Sequence, residues 1–153
     1  MSYQCKVTER ASQPTLTIRT RTAARNLGET LGEAYGTIMQ YMGELGEHPV
    51  GPPYTAYYNE DMQDLDVEVG FPVARELPGK GNVQAGEIPG GKVATCLHVG
   101  AYSDIGPAYE ALSQWMQENG YEPAGAAYEF YLNDPQETPS EELMTQILFP
   151  LKG

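Results

Sequence analysis

The chain of 153 residues contains no run of 18 apolar residues, so no transmembrane helix and no membrane association are expected. Positive charge is scarce: nine Lys and Arg stand against 21 Asp and Glu, for a net of −12. The shortage is uneven. Lys6, Arg10, Arg19, Arg21 and Arg25 fall in the first 25 positions, where Glu9 is the only acid; residues 26–153 hold four basic and 20 acidic side chains, a net of −16. Such a surface repels phosphate backbones, so no direct nucleic-acid binding is expected. It suits cationic ligands or basic partners, and it also serves plain solubility. Cysteine is scarce too, and Cys5 and Cys96 lack metal-ligand spacing. The opening Met-Ser-Tyr-Gln-Cys-Lys carries no secretory apolar stretch, which predicts a cytoplasmic protein with two reduced thiols.

Several chemical signatures are missing. There is no P-loop, and the glycines between Gly79 and Gly86 lack both the spacing and the strand–helix context of a dinucleotide site. His48 and His98 stand alone, so no metal and no cofactor are expected, and each reads as a surface or core histidine. Ser103 and Asp104 follow His98 closely, but triads assemble in space, and both residues are better explained as the cap of a helix.

What the chain does have is an internal echo. Gly51-Pro-Pro-Tyr-Thr-Ala-Tyr57 and Gly125-Ala-Ala-Tyr-Glu-Phe-Tyr131 repeat one phrase 74 positions apart. In the same register Tyr35 matches Tyr109, Met42 matches Met116, Gly46 matches Gly120, Pro49 matches Pro123 and Asn59 matches Asn133; after a four-residue slip, Phe71-Pro72 matches Phe149-Pro150. Solenoid periods run at roughly 20–50 residues, so this spacing reads as a duplicated α+β unit. The expectation is a single domain, 1–153, with module one at about 1–73, a linker at about 74–91 and module two at about 92–153. Its modules would be related by a pseudo-two-fold axis, with a central ligand cleft where they meet.

Periodicity fills in the elements. Residues 3–9 and 14–22 read as strands, with Leu16, Ile18 and Thr20 alternating against polar neighbours. From about Asn26, residues Leu27, Leu31, Ala34, Tyr35, Ile38, Met42 and Leu45 form a helical stripe that stops at Gly46. Tyr54–Tyr58 and Leu65–Val73 follow as a strand pair. The second module repeats the order: a strand at Val93–Val99, a helix capped by Ser103 or Asp104 with Pro107 in its first turn, and strands at Ala126–Leu132 and Leu143–Leu151. The helix stripe there is Ile105, Tyr109, Leu112 and Met116. A mixed or antiparallel sheet with both helices on one face is predicted.

The echo breaks at one chemically loud position, where Thr55 of the first copy corresponds to Glu129 of the second. Glu129 interrupts an otherwise apolar and aromatic strand. Either that strand has one wet face, or Glu129 lies in the cleft. A lone buried carboxylate costs several kcal/mol or takes up a proton, and a cationic ligand or a substrate needing a proton would exploit either state. Period-2 geometry puts Tyr131 on the same face as Glu129, and Thr55 and Tyr57 on the equivalent face of the other copy. Aromatic faces near a carboxylate hold organic cations at roughly 0.5–2 kcal/mol per ring. Trp115, one position off the helix stripe, either completes the core or lines the rim of the cleft.

With these residues in view, the chain resembles the GyrI-like small-molecule-binding domain, the fold of effector-binding domains of AraC-type and MerR-type multidrug regulators. The stretches that carry the resemblance are His98-Val-Gly-Ala-Tyr102, Ala108-Tyr-Glu-Ala-Leu112, Asn119-Gly-Tyr-Glu-Pro-Ala-Gly125, Tyr128-Glu-Phe-Tyr-Leu-Asn-Asp-Pro135 and Thr145-Gln-Ile-Leu-Phe-Pro150. Position 101 is Ala where the family often has Pro. The resemblance implies a pocket in which Glu129 faces lipophilic cations, ringed by Tyr57, Tyr102, Trp115 and Tyr131. It implies a stand-alone binder of hydrophobic or cationic aromatic drugs or toxins, since the residues of a preceding helix-turn-helix are missing. Two other roles occur among such relatives: hydrolysis of cyclopropanoid alkylating toxins, with Glu129 as the catalytic group, and an acidic regulatory protein with gyrase or a regulator as partner.

Overall fold

The computed structural model describes residues 3–152, which fold as two compact units, one built from residues 12–89 and the other from residues 3–11 and 90–152. The class is α+β, with antiparallel strands and one long helix per unit.

The unit of residues 12–89 contains β2 (Gln13–Thr22), α1 (Leu27–Leu45), β3 (Tyr54–Tyr57), β4 (Leu65–Pro72) and β5 (Gln84–Ile88). Its strands pair antiparallel in the order β3-β4-β2-β5. Alternation on β2 and β4 sends Leu16, Ile18, Val69 and Phe71 toward α1, whose Ala34, Ile38, Tyr41 and Met42 complete a buried cluster. Fully burying an Ile, Leu or Met side chain contributes about 1.5–3 kcal/mol, so this stripe holds the helix to the sheet. Helix α1 stops at Gly46, whose φ of 71° is the left-handed cap that glycine adopts without strain.

The second unit contains β1 (Cys5–Arg10), β6 (Gly91–Val99), α2 (Gly106–Glu118), β7 (Ala127–Tyr131) and β8 (Met144–Pro150), paired antiparallel in the order β1-β6-β8-β7. Ala108, Leu112 and Met116 of α2 bury against Ala94, Cys96 and Ile147, with Cys5 and Val7 packed beside them.

Three sequence expectations are corrected. Strand β1 does not join the module of residues 1–73. Cys5 and Val7 alternate onto the face beneath α2, and β1 pairs with β6, Cys5 opposite Cys96. The linker at 74–91 is not a mere connection, since its residues 84–88 form β5 along β2. Gly86 permits that pairing: a Cβ there would come within 2.9 Å of Thr15 Oγ1. Neither Ser103 nor Asp104 caps α2. Tyr102–Asp104 instead form a tight 3₁₀ turn, and α2 starts at Gly106 with Pro107 in its first turn and no side-chain cap.

Both units run strand, helix, strand, strand with equivalent pairings. Ile18 and Thr55 lie opposite Val69 in one; Cys96 and Glu129 lie opposite Ile147 in the other. One row along, Thr20 and Tyr57 flank Val67, while His98 and Tyr131 flank Thr145. The fourth strand occupies the same edge in each, but follows its unit as β5 and precedes it as β1.

Candidate functional site

Strand β7 is buried on both faces, and its alternation divides the side chains by chemistry. Tyr128 and Phe130 point away from the helix, their rings stacked 6.4 Å apart, and the Arg10 guanidinium lies over Phe130 at 5.8 Å. Glu129 and Tyr131 point to the helix side. Glu129 is only 9% exposed, so the wet-face reading of this strand fails.

Two phenols meet that carboxylate. Tyr109 of α2 donates to Glu129 Oε2, and the Tyr131 hydroxyl donates to Oε1 over 3.1 Å. Tyr102, in the turn before α2, packs edge-on against Tyr131 with ring centroids 5.4 Å apart. Burial pushes the Glu129 carboxyl above the ordinary carboxylate range; the hydrogen bonds from Tyr109 and Tyr131, and the nearby His98, pull it the other way without cancelling the rise. Burial also pushes the Tyr102 phenol up, and the negative charges of Asp134 and Glu129 add to that shift. The arrangement is a carboxylate held in low dielectric, oriented by two donors and walled by aromatic rings. It can accept a cation, or it can hold a proton to higher pH than an exposed glutamate does.

Of the residues singled out in the sequence, the structure therefore brings together Glu129, Tyr131 and Tyr102. Trp115 stacks on Tyr121 at 5.7 Å and packs against the cluster beneath α2. Tyr57 lies half-buried at the end of β3, in the other unit. Tyr109 was read only as part of the apolar stripe, and it is the side chain that reaches Glu129. The signal for it lay in the repeat: Tyr35 holds the matching place on α1, and its hydroxyl donates to the Tyr54 carbonyl at 2.9 Å and meets Thr55 Oγ1 at 3.2 Å. His98, read as isolated, is 2% exposed with Nε2 2.9 Å from the Ala101 carbonyl. Among the described residues no three His, Cys, Asp or Glu side chains are grouped to hold a metal ion, and no helix is long and apolar enough to cross a membrane.

The early basic residues serve the fold. Arg19 forms a two-pronged pair with Asp66 and lies over the Tyr58 ring at 3.8 Å, and Arg21 pairs with Asp64. These pairs are largely exposed, so solvent screens them and each adds little to stability.

Comparison with known proteins places this geometry. The model of a GyrI-like small molecule binding domain matches residues 3–152. No curated protein gives a significant match. Among solved structures, the chain is similar to EcmrR in its DNA complex, at 25% identity and a TM-score of 0.86 over 98% of this chain; the match spans 57% of the length of that chain. The separate C-terminal domain of EcmrR matches at 24% identity and a TM-score of 0.80, over 99% of each chain. A hydrolase from Listeria innocua shares the fold at 15% identity and a TM-score of 0.70, over 99% of this chain and 93% of that one. SAV2435, solved bound to tetraphenylphosphonium, shares it at 14% identity and a TM-score of 0.65, over 100% of this chain and 95% of that one.

Proposed function

The chain belongs to the GyrI-like small-molecule-binding domain family, and from that premise we propose that it binds hydrophobic organic cations, with Glu129 as their counter-charge. The observation that carries this reading is the burial of Glu129 beneath tyrosine hydroxyls and rings, with no Lys or Arg ion-paired to it among the described residues. A carboxylate in that setting is destabilised by lost hydration. A lipophilic cation replaces the missing charge partner, and the faces of Tyr102 and Tyr131 supply favourable ring contacts. Tyr109 and Tyr131 hold the carboxylate in one orientation, which reduces the ordering cost of binding.

Two further residues enter the proposal through the family resemblance: Tyr57 on β3 and Trp115 on α2, as additional aromatic contacts. The shared phrase and the equivalent Tyr35–Thr55 and Tyr109–Glu129 contacts also lead us to read the two units as products of duplication, with ligand chemistry concentrated in the copy carrying Glu129.

The test is titration with tetraphenylphosphonium, the cation bound in SAV2435. Glu129→Gln keeps the side-chain shape and removes the charge. Affinity should fall by at least roughly ten-fold, the scale of a desolvated charge interaction; unchanged affinity would remove the carboxylate from the reading.

A second reading has its own support. A carboxyl raised by burial and set among hydroxyls also suits proton transfer, so Glu129 serves equally as acid or base toward water attacking a strained, planar alkylating substrate. Product formed from a cyclopropane-bearing alkylator in molar excess over protein would establish turnover. Protection that stops at one equivalent would leave binding as the activity.

A further inference from the structure

Three buried polar atoms in the unit of Glu129 have no hydrogen-bond partner among the described residues, Arg10 Nε, His98 Nδ1 and Thr145 Oγ1, and the last two belong together. They lie close together by construction. His98 of β6 sits directly opposite Thr145 of β8, and Thr145 sits directly opposite Tyr131 of β7. All three side chains point to the α2 side of the sheet, one row from Glu129. Successive same-face rows of a strand are spaced by roughly 7 Å.

The chemistry of the pair is defined by its surroundings. His98 Nε2 faces the Ala101 carbonyl, which only accepts, so Nε2 carries a hydrogen and Nδ1 is the ring nitrogen left over. The Thr145 hydroxyl can accept as well as donate. Side chains 2% and 0% exposed rarely leave such atoms unsatisfied. The other unit shows that the fold has no need of the hydroxyl: at the register position matching Thr145, between Thr20 and Tyr57, stands the buried Val67.

We propose that His98 and Thr145 form a second polar anchor of the ligand site, in which the Thr145 hydroxyl accepts from an N–H or O–H donor carried by the ligand. The proposal rests on the reading of Glu129 as counter-charge and adds a selectivity to it: cations with a hydrogen-bond donor set off from the charged centre bind in preference to alkylated analogues that lack one.

Two acridinium dyes provide the comparison, proflavine with free amino groups and acridine orange with the same ring system dimethylated on both nitrogens. Wild-type protein should prefer proflavine in fluorescence titration. Thr145→Val, which installs the residue that the other unit already tolerates, should reduce that preference roughly five- to ten-fold, the scale of one net hydrogen bond. Thr145→Ser should retain it. A preference unchanged in Thr145→Val overturns the proposal; an ordered water, or a threonine with only a packing role, gives that result. Glu129→Gln reports separately on the counter-charge: it should weaken both dyes and leave their ratio in place. Failure of both dyes to bind wild-type protein overturns the two readings together.

Discussion

Tyr109 spans from α2 to β7 to donate a hydrogen bond to Glu129. Its counterpart Tyr35 spans from α1 to meet Thr55 on β3. One architectural contact, helix tyrosine to strand residue, thus occurs in both units, and only its polar end differs. A neutral hydroxyl in that place is satisfied within the fold. A carboxylate in the same place is oriented but left with excess charge, the feature on which the proposed cation binding rests.

Binding of a cation should depend on pH through Glu129. Its carboxyl is raised above the ordinary value of 4.5, chiefly by burial. The charged form holds the cation, so affinity should be full above the raised pKa and fall as pH drops through it, beginning nearer neutrality than an exposed glutamate would allow. Tyr109→Phe removes a donor that favours the charged form. It should therefore move the midpoint further up and weaken tetraphenylphosphonium binding several-fold at a fixed pH just above the wild-type midpoint. Calorimetric titration across pH, in buffers of differing ionisation enthalpy, checks both the midpoint and the proton released on binding. A midpoint in the ordinary carboxylate range would contradict the burial argument.

The sequence made some of this legible and hid the rest for physical reasons. Glu129 stood out because a charge in a run of apolar residues violates the strand's own pattern. Tyr109 did not, because a 3.6-residue stripe cannot distinguish a tyrosine that packs its ring from one that also delivers its hydroxyl. His98 and Thr145 are 47 positions apart, and only the β6–β8 pairing puts them side by side. The edge strands were misread for a related reason. β5 is short and Gly-containing, and β1 finds its partner across most of the chain, where local periodicity carries no information.

Gly70 on β4 should tolerate no side chain. A Cβ there would come within 2.8 Å of the Tyr54 ring and 2.9 Å of Thr17 Cγ2. Tyr54 is 1% exposed and has nowhere to move. Gly70→Ala should therefore destabilise the protein by about 1–3 kcal/mol, as overpacking of a filled core does. Chemical denaturation measures it, and a midpoint equal to wild type would show that the Tyr54 side of the sheet is loosely packed.

Cys96 should be inert to alkylation. Burial pushes its thiol up to about 12, with Cys5 directly opposite adding to the shift. The thiolate is the reactive species, so at pH 8 almost none is present. Mass spectrometry after iodoacetamide treatment of the native protein should find Cys96 unmodified, whereas treatment in denaturant modifies both Cys5 and Cys96. Rapid native labelling of Cys96 would show that the β1–β6 edge opens.

Glu129 should weaken the fold it sits in. Because its folded pKa is raised, the native state binds the proton more tightly than the unfolded chain. Between the unfolded and folded pKa values, stability therefore decreases as pH rises, and above the folded value the penalty is fully present. Glutamine mimics the protonated carboxyl. Glu129→Gln should accordingly raise Tm by a few degrees at pH 8, where wild type carries the buried charge, and the difference should shrink toward zero as pH falls below the unfolded value of Glu. Saturating tetraphenylphosphonium should close the same gap at pH 8 from the other side, because it stabilises wild type and binds the variant weakly. Thermal unfolding of both proteins at two pH values, with and without the cation, tests this. A variant less stable than wild type at pH 8 would mean that the hydrogen bonds from Tyr109 and Tyr131 outweigh the cost of burial, and Glu129 would then be a structural anchor with no charge left to offer.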